Sequence, residues 1–152
     1  MKKKIALIVI LAILIIIQFF PASKNQSTEL LASDITKVTT VPDDVLQVLK
    51  AACYDCHSNN TVYPWYNNIQ PVAWWLNRHV EEGKEHLNFS TFGEHTSEKA
   101  AKKMRGIARE VEKGDMPLTS YTLIHRNAVL NETQKQAVIN WTKSAVIASL
   151  AH

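Results

Sequence analysis

Cys53-Tyr54-Asp55-Cys56-His57 contains the chain's two cysteines, three residues apart and followed at once by a histidine. On a helical turn, residues three apart share a face, so both sulfurs point the same way. Two thiols so placed reach the two vinyl groups on one edge of a porphyrin. The next residue projects under the ring, where its imidazole binds iron. C-x-x-C-H is the attachment signature of c-type haem. Cys53 and Cys56 are therefore expected to hold one haem c covalently, with His57 as an axial ligand.

Other uses of a C-x-x-C pair demand partners that are hard to find here. A thioredoxin-like dithiol sits beside a strand in an α/β domain, and no strand-length alternating run stands out. A tetrahedral zinc site needs four ligands, so it would have to recruit two of His79, His86, His95 and His125. A plain structural disulfide remains open in an exported chain.

Outward from the motif, the pattern is helical. Pro42 suits a first helical position and Asp43 and Asp44 favour the dipole, with Val45, Leu46, Leu49 and Ala52 at helical spacing behind them. Beyond the turn at Ser58-Asn59-Asn60 comes an aromatic cluster, Tyr63 to Tyr66. Pro71 opens a second helix whose expected apolar face is Val72, Trp75, Leu76 and Val80. A third helix is expected over 97–113, with Met104, Ile107, Ala108 and Val111 as its buried stripe and Gly114 as its C-cap. A short helix over 120–125 precedes a last one starting at Asn131, where Gln134 completes a capping box and Val138, Trp141 and Ala145 face inward. The fold class is all-α, and a bound prosthetic group would enlarge a small core.

The N-terminus reads differently. Ile5 to Phe20 is apolar except for Gln18 and follows Lys2, Lys3 and Lys4. As helix this run spans about 24 Å, short of a hydrocarbon core of about 30 Å. Residues 1–21 are expected to be a membrane anchor, ahead of a cleaved signal, because no clear A-x-A site follows. The lysines then stay in the cytoplasm, and the body is exported to the periplasmic side of a bacterial inner membrane; after cleavage it would be soluble in the periplasm. Residues 22–41 read as a polar spacer, and residues 42–152 as the haem-binding domain. Of the 17 Lys and Arg in the chain, three are those terminal lysines, which leaves 14 against 14 Asp and Glu. A neutral body has no drive toward phosphate backbones, so nucleic acid is excluded as a partner.

A low-spin electron carrier needs a second axial ligand. Met104 falls on a core stripe. Met116 follows the helix stop Gly114 and precedes Pro117, on a constrained loop sixty residues past Cys56, and is the expected distal ligand. His125 is the alternative. His79 is expected half-buried, and His86 and His95 solvent-facing. Trp65, Trp74 and Trp75 are expected to pack around the haem.

With these residues laid out, the body resembles the bacterial haem-binding domain family of small c-type cytochromes. The resemblance is carried by Cys53 to Asn59, Tyr63-Pro64-Trp65-Tyr66, Pro71, Trp74 and Trp75. It continues through His79-Val80-Glu81-Glu82-Gly83, His86-Leu87-Asn88-Phe89-Ser90, Met116-Pro117, Tyr121, His125 and Trp141, so it covers about residues 42 to 145. It implies a cytochrome c-like helical fold with His57 proximal and Met116 distal. One departure is Leu118, where relatives often carry a second proline.

One-electron transfer between redox partner proteins follows from His/Met ligation. An electron carrier is expected ahead of an enzyme. The alternatives, a peroxidase-like enzyme or a small-ligand or redox sensor, both require a labile sixth ligand.

Overall fold

The computed structural model describes residues 1–150, with side chains through Val146; His152, expected at a frayed end, lies outside the described residues. The helices run in the order α1 (Lys2–Ile16), α2 (Ile35–Val38), α3 (Asp43–Ala52), α4 (Tyr54–His57), α5 (Val72–His86), α6 (Ser97–Lys113), α7 (Thr119–Thr122) and α8 (Glu132–Leu150). Short 3-10 turns lie between some of them. The fold is all-α. Among the described residues the one piece of β pairing is an isolated bridge between Gln26 and Asn60.

The core is built where three helices meet. α6 and α8 pack along their lengths and α3 lies against α8. Their apolar stripes supply Val45, Val48 and Leu49 from α3, Met104, Ile107 and Val111 from α6, and Val138, Ile139 and Trp141 from α8. Phe89 and Phe92 close the cluster from the segment before α6. The helix ends follow local chemistry. Asn131 Oδ1 accepts from Gln134 N at 2.9 Å while Gln134 Oε1 accepts from Asn131 N at 3.0 Å, a reciprocal capping box. Gly114 ends α6 with φ of 77°, a left-handed conformation that costs a glycine little.

Two expectations are corrected. The polar stretch after the apolar run does not stand off as a spacer. Ile35 is fully buried in the core and Asp34 caps α2 through Thr36 N at 2.9 Å. Asn25 reaches the loop after the motif, its Nδ2 donating to Ser58 O at 2.8 Å and Thr61 Oγ1 at 2.9 Å. Backbone polar groups of a segment lying on the protein must find partners, and here loop 58–63 provides them. The second correction concerns α5, where Ala73 and Val80 are buried but Val72 and Trp75 are exposed. This helix packs through small residues, because its backbone comes close to α4: a Cβ at Gly83 would sit 2.6 Å from the Cys56 carbonyl oxygen.

α1 forms over the apolar run, and none of its residues is buried. Its 15 residues span about 22 Å, and no helix among the described residues is long and apolar enough to cross a membrane. Gln18, the polar residue of the run, is paired with the body: its Oε1 accepts from Gln70 N at 3.0 Å and its Nε2 donates to Gln70 O at 3.1 Å. Trp74 Nε1 adds a bond to Phe20 O at 2.8 Å.

Candidate functional site

The motif is a separate turn rather than the end of α3. That helix stops at Ala52, and Cys53 breaks the run with φ of −127° and ψ of −40° before α4 begins. Cys53 O then accepts from Cys56 N at 3.2 Å and His57 N at 2.9 Å, which closes the turn and keeps the cysteines three apart on it. Side chains of the following loop cap its carbonyls. Ser58 Oγ donates to Tyr54 O at 2.8 Å, and Thr61 Oγ1 donates to Asp55 O at 2.6 Å.

His57 is held by backbone. Its Nδ1 lies 2.8 Å from Gly83 O and 3.0 Å from Leu87 O. Two carbonyl acceptors on one ring nitrogen select the tautomer with hydrogen on Nδ1, which leaves the Nε2 lone pair for another atom. Burial holds the ring below the ordinary histidine range, so it stays neutral; the two carbonyls pull the other way but do not prevail. Phe89 lies edge-on to the imidazole, with ring centroids 6.4 Å apart.

Both cysteines are free thiols. Burial pushes Cys53 up to about 12, and Cys56 up to about 11 by burial and the Asp55 carboxylate. A redox dithiol needs the opposite shift. These sulfurs keep their protons.

Cys53, Cys56 and His57 line one wall of a cavity of about 880 Å³. α6 runs along it, with Gly106, Ile107 and Val111 among the residues facing in. The chain leaves α6 through the left-handed Gly114, and Glu110 O accepts from both Asp115 N at 3.0 Å and Met116 N at 3.2 Å. That turn brings Met116 and Pro117 back to the same cavity. The volume lies within the roughly 300–1,000 Å³ typical of cofactor sites. Two thiols, an imidazole with a directed lone pair and a thioether on one apolar cavity form a donor set that fits a haem.

A model of the haem-binding domain family matches residues 12–144. The chain belongs to the haem-binding domain family. No curated protein and no solved structure matches it. Family membership assigns haem as the cofactor class of this haem-binding domain.

Of the other histidines, His79 is half-buried and His86 exposed, as expected. His125 does not line the cavity; its Nε2 lies 3.1 Å from Tyr66 Oη and its ring stacks on Tyr121 at 4.2 Å. His79, His86 and His95 do line it, although the last two lie in polar stretches. Among the described residues no group of three His, Cys, Asp or Glu side chains is arranged to hold a metal ion by itself. Trp65, Trp74 and Trp75, expected to pack around a haem, are 76%, 40% and 49% exposed and none lines the cavity. The close approach of α5 to α4 leaves no room for large rings between those helices. Sequence reasoning missed the Gly83 and Leu87 carbonyls, since backbone acceptors carry no residue signature. It also missed Lys99, Lys102 and Lys103, whose spacing repeats the helical period on the α6 face beside the core stripe.

Proposed function

We propose that this domain binds one haem c covalently through Cys53 and Cys56, with His57 on one side of the iron and Met116 on the other, and that it carries single electrons. The observation that carries the proposal is the locked His57 ring beside two free thiols in a cavity that also receives Met116. Attachment adds each thiol across one vinyl double bond. Sulfur bonds to one carbon and its hydrogen goes to the other, so there is no leaving group and no net oxidation. The bound iron supplies a one-electron couple, and a thioether ligand sets it higher than a second imidazole does. The chain's own part is to fix the imidazole, exclude water through Leu87, Phe89, Ile107 and Val111, and hold the Met116 loop.

The same proposal places the domain on the periplasmic side of a bacterial inner membrane, held by the N-terminal helix, exchanging electrons with redox partner proteins. The exposed apolar surface of α1 behind three lysines supports this. Because α1 alone is short, the 3-10 turn Ile17–Phe19 must contribute to the apolar segment. The bonds from Gln18 and Phe20 to Gln70 and Trp74 support retention of the segment, since cleavage beyond Phe20 would remove them.

The test is mass spectrometry of the denatured full-length protein. Wild type should retain the mass of one haem, and Cys53→Ala with Cys56→Ala should lose it. Covalent haem surviving in that double variant would sink the assignment. Six-coordinate low-spin spectra indifferent to carbon monoxide are expected for a carrier; rapid carbon monoxide binding would point to catalysis or sensing.

A further inference from the structure

The charged residues around the cavity are unequally satisfied. Each carboxylate on its wall already has a partner. Asp55 accepts from Tyr121 Oη at 2.7 Å and Val62 N at 3.0 Å, Glu82 pairs with Arg78 at 2.7 Å, and Glu110 pairs with Arg109 at 2.8 Å. The lysines are different. Lys103 Nζ donates to the carbonyl of His86, while Lys99 and Lys102 make no side-chain hydrogen bond or ion pair among the described residues. All three line the cavity from the N-terminal half of α6. His86 at the end of α5 and His95 just before α6 line it too. The second half of α6 presents Gly106, Ile107 and Val111 together with the mutually paired Arg109 and Glu110. One end of the cavity is therefore cationic and short of anions, while the carboxylates elsewhere on its wall already have partners.

We infer that Lys99, Lys102 and Lys103 seat the two propionate carboxylates of the haem. The inference rests on the haem assignment proposed above. A haem c carries its thioethers on one edge and two carboxylates on the other, and the cavity offers thiols from α4 and uncompensated ammonium groups from α6. A carboxylate brought to such a site is stabilised in its charged form, which lowers its pKa. The lysine heads stay solvated while their stems cover the ring edge. The bond from Lys103 to the His86 carbonyl ties this basic end to the helix whose Gly83 holds His57, so α5 braces both.

The test uses the full-length holoprotein and the variant Lys99→Gln/Lys102→Gln. Both side chains are exposed and unpartnered, so the substitution breaks no bond in the fold. The propionate bending bands in the resonance Raman spectrum should shift, and the propionate step in the pH dependence of the midpoint potential should move to higher pH. Lys99→Arg/Lys102→Arg should restore both. Removing two exposed lysines that do not line the cavity, Lys37→Gln/Lys50→Gln, should change neither. A haem-loaded double variant whose bands and titration match wild type overturns the basic seat alone. A wild-type chain that releases all haem on denaturation overturns the covalent assignment instead.

Discussion

Tyr121 donates its hydroxyl to Asp55 Oδ2 at 2.7 Å, across 66 residues of chain. The bond joins α7, just after the Met116 loop, to the middle of the C-x-x-C-H turn. Asp55 is committed on its other oxygen as well, to Val62 N at 3.0 Å. The two sides of the cavity are thus pinned through one carboxylate. Tyr121→Phe should cost about 1–2 kcal/mol, the range for a hydrogen bond to a charged acceptor reduced because both side chains are partly exposed. Thermal melts should show a lower Tm. Carbon monoxide should also gain access to the iron as the loop loosens; a variant with unchanged melting and unchanged access would remove Tyr121 from this role.

Gly83→Ala sets two effects against each other. Alanine is favoured over glycine within a helix by about 1 kcal/mol. The new Cβ, however, would lie 2.6 Å from Cys56 O and 3.1 Å from Cys56 Cβ. Backbone cannot swing aside like a side-chain tip, and overpacking of this kind costs about 1–3 kcal/mol. The clash should win. Moving α5 off α4 also lengthens the bond from the Gly83 carbonyl to His57, so the yield of haem-loaded protein should fall. The haem content of purified protein at equal expression measures it.

Met116→Ala should leave the covalent haem in place and open the sixth iron position, giving a high-spin component and rapid carbon monoxide binding. His125→Ala should leave iron coordination as in wild type and lose about 0.5–1.5 kcal/mol from its contact with Tyr66. Optical spectra of the two variants side by side decide between the two residues. The opposite pattern would transfer the ligand role to His125.

The neutral His57 makes the site sensitive to acid in a stated direction. Its pKa in the fold lies below the ordinary 6.5, chiefly because of burial. Between those two values the unfolded chain binds a proton that the folded chain does not, so stability falls as pH falls through about 6.5 and is full above it. Denaturant melts of the haem-free Cys53→Ala/Cys56→Ala protein, in which no iron holds the ring, should show this loss from pH 8 downward beginning before the carboxylate range is reached. A stability curve flat from pH 8 to pH 5 would contradict a buried neutral His57.

Much of this molecule is visible in local pattern. The borders of α6 and its Gly114 stop follow from a 3.6-residue stripe and a residue type that tolerates positive φ. The capping box at Asn131 and Gln134 is equally local. Periodicity was less informative for α5, because an apolar residue on the helix is not thereby a buried one. Trp75 and Val72 lie outside since the contact face must be small enough for Gly83 to reach Cys56. Nor did composition show that Asn25 and Ile35 belong to the fold, because a polar segment can either be solvated or find partners in a loop distant in sequence.

The sequence by itself determined the all-α class and the spacing that sets Cys53 and Cys56 on one turn with His57 next, since both depend on near neighbours along the chain. Tertiary structure decided the rest. It separated the motif from α3, set the His57 tautomer with carbonyls 26 and 30 residues away, and brought Met116 to the cavity while His125 went to Tyr66. These are contacts between distant segments, and long-range packing, not local spacing, chooses which side chains and carbonyls meet.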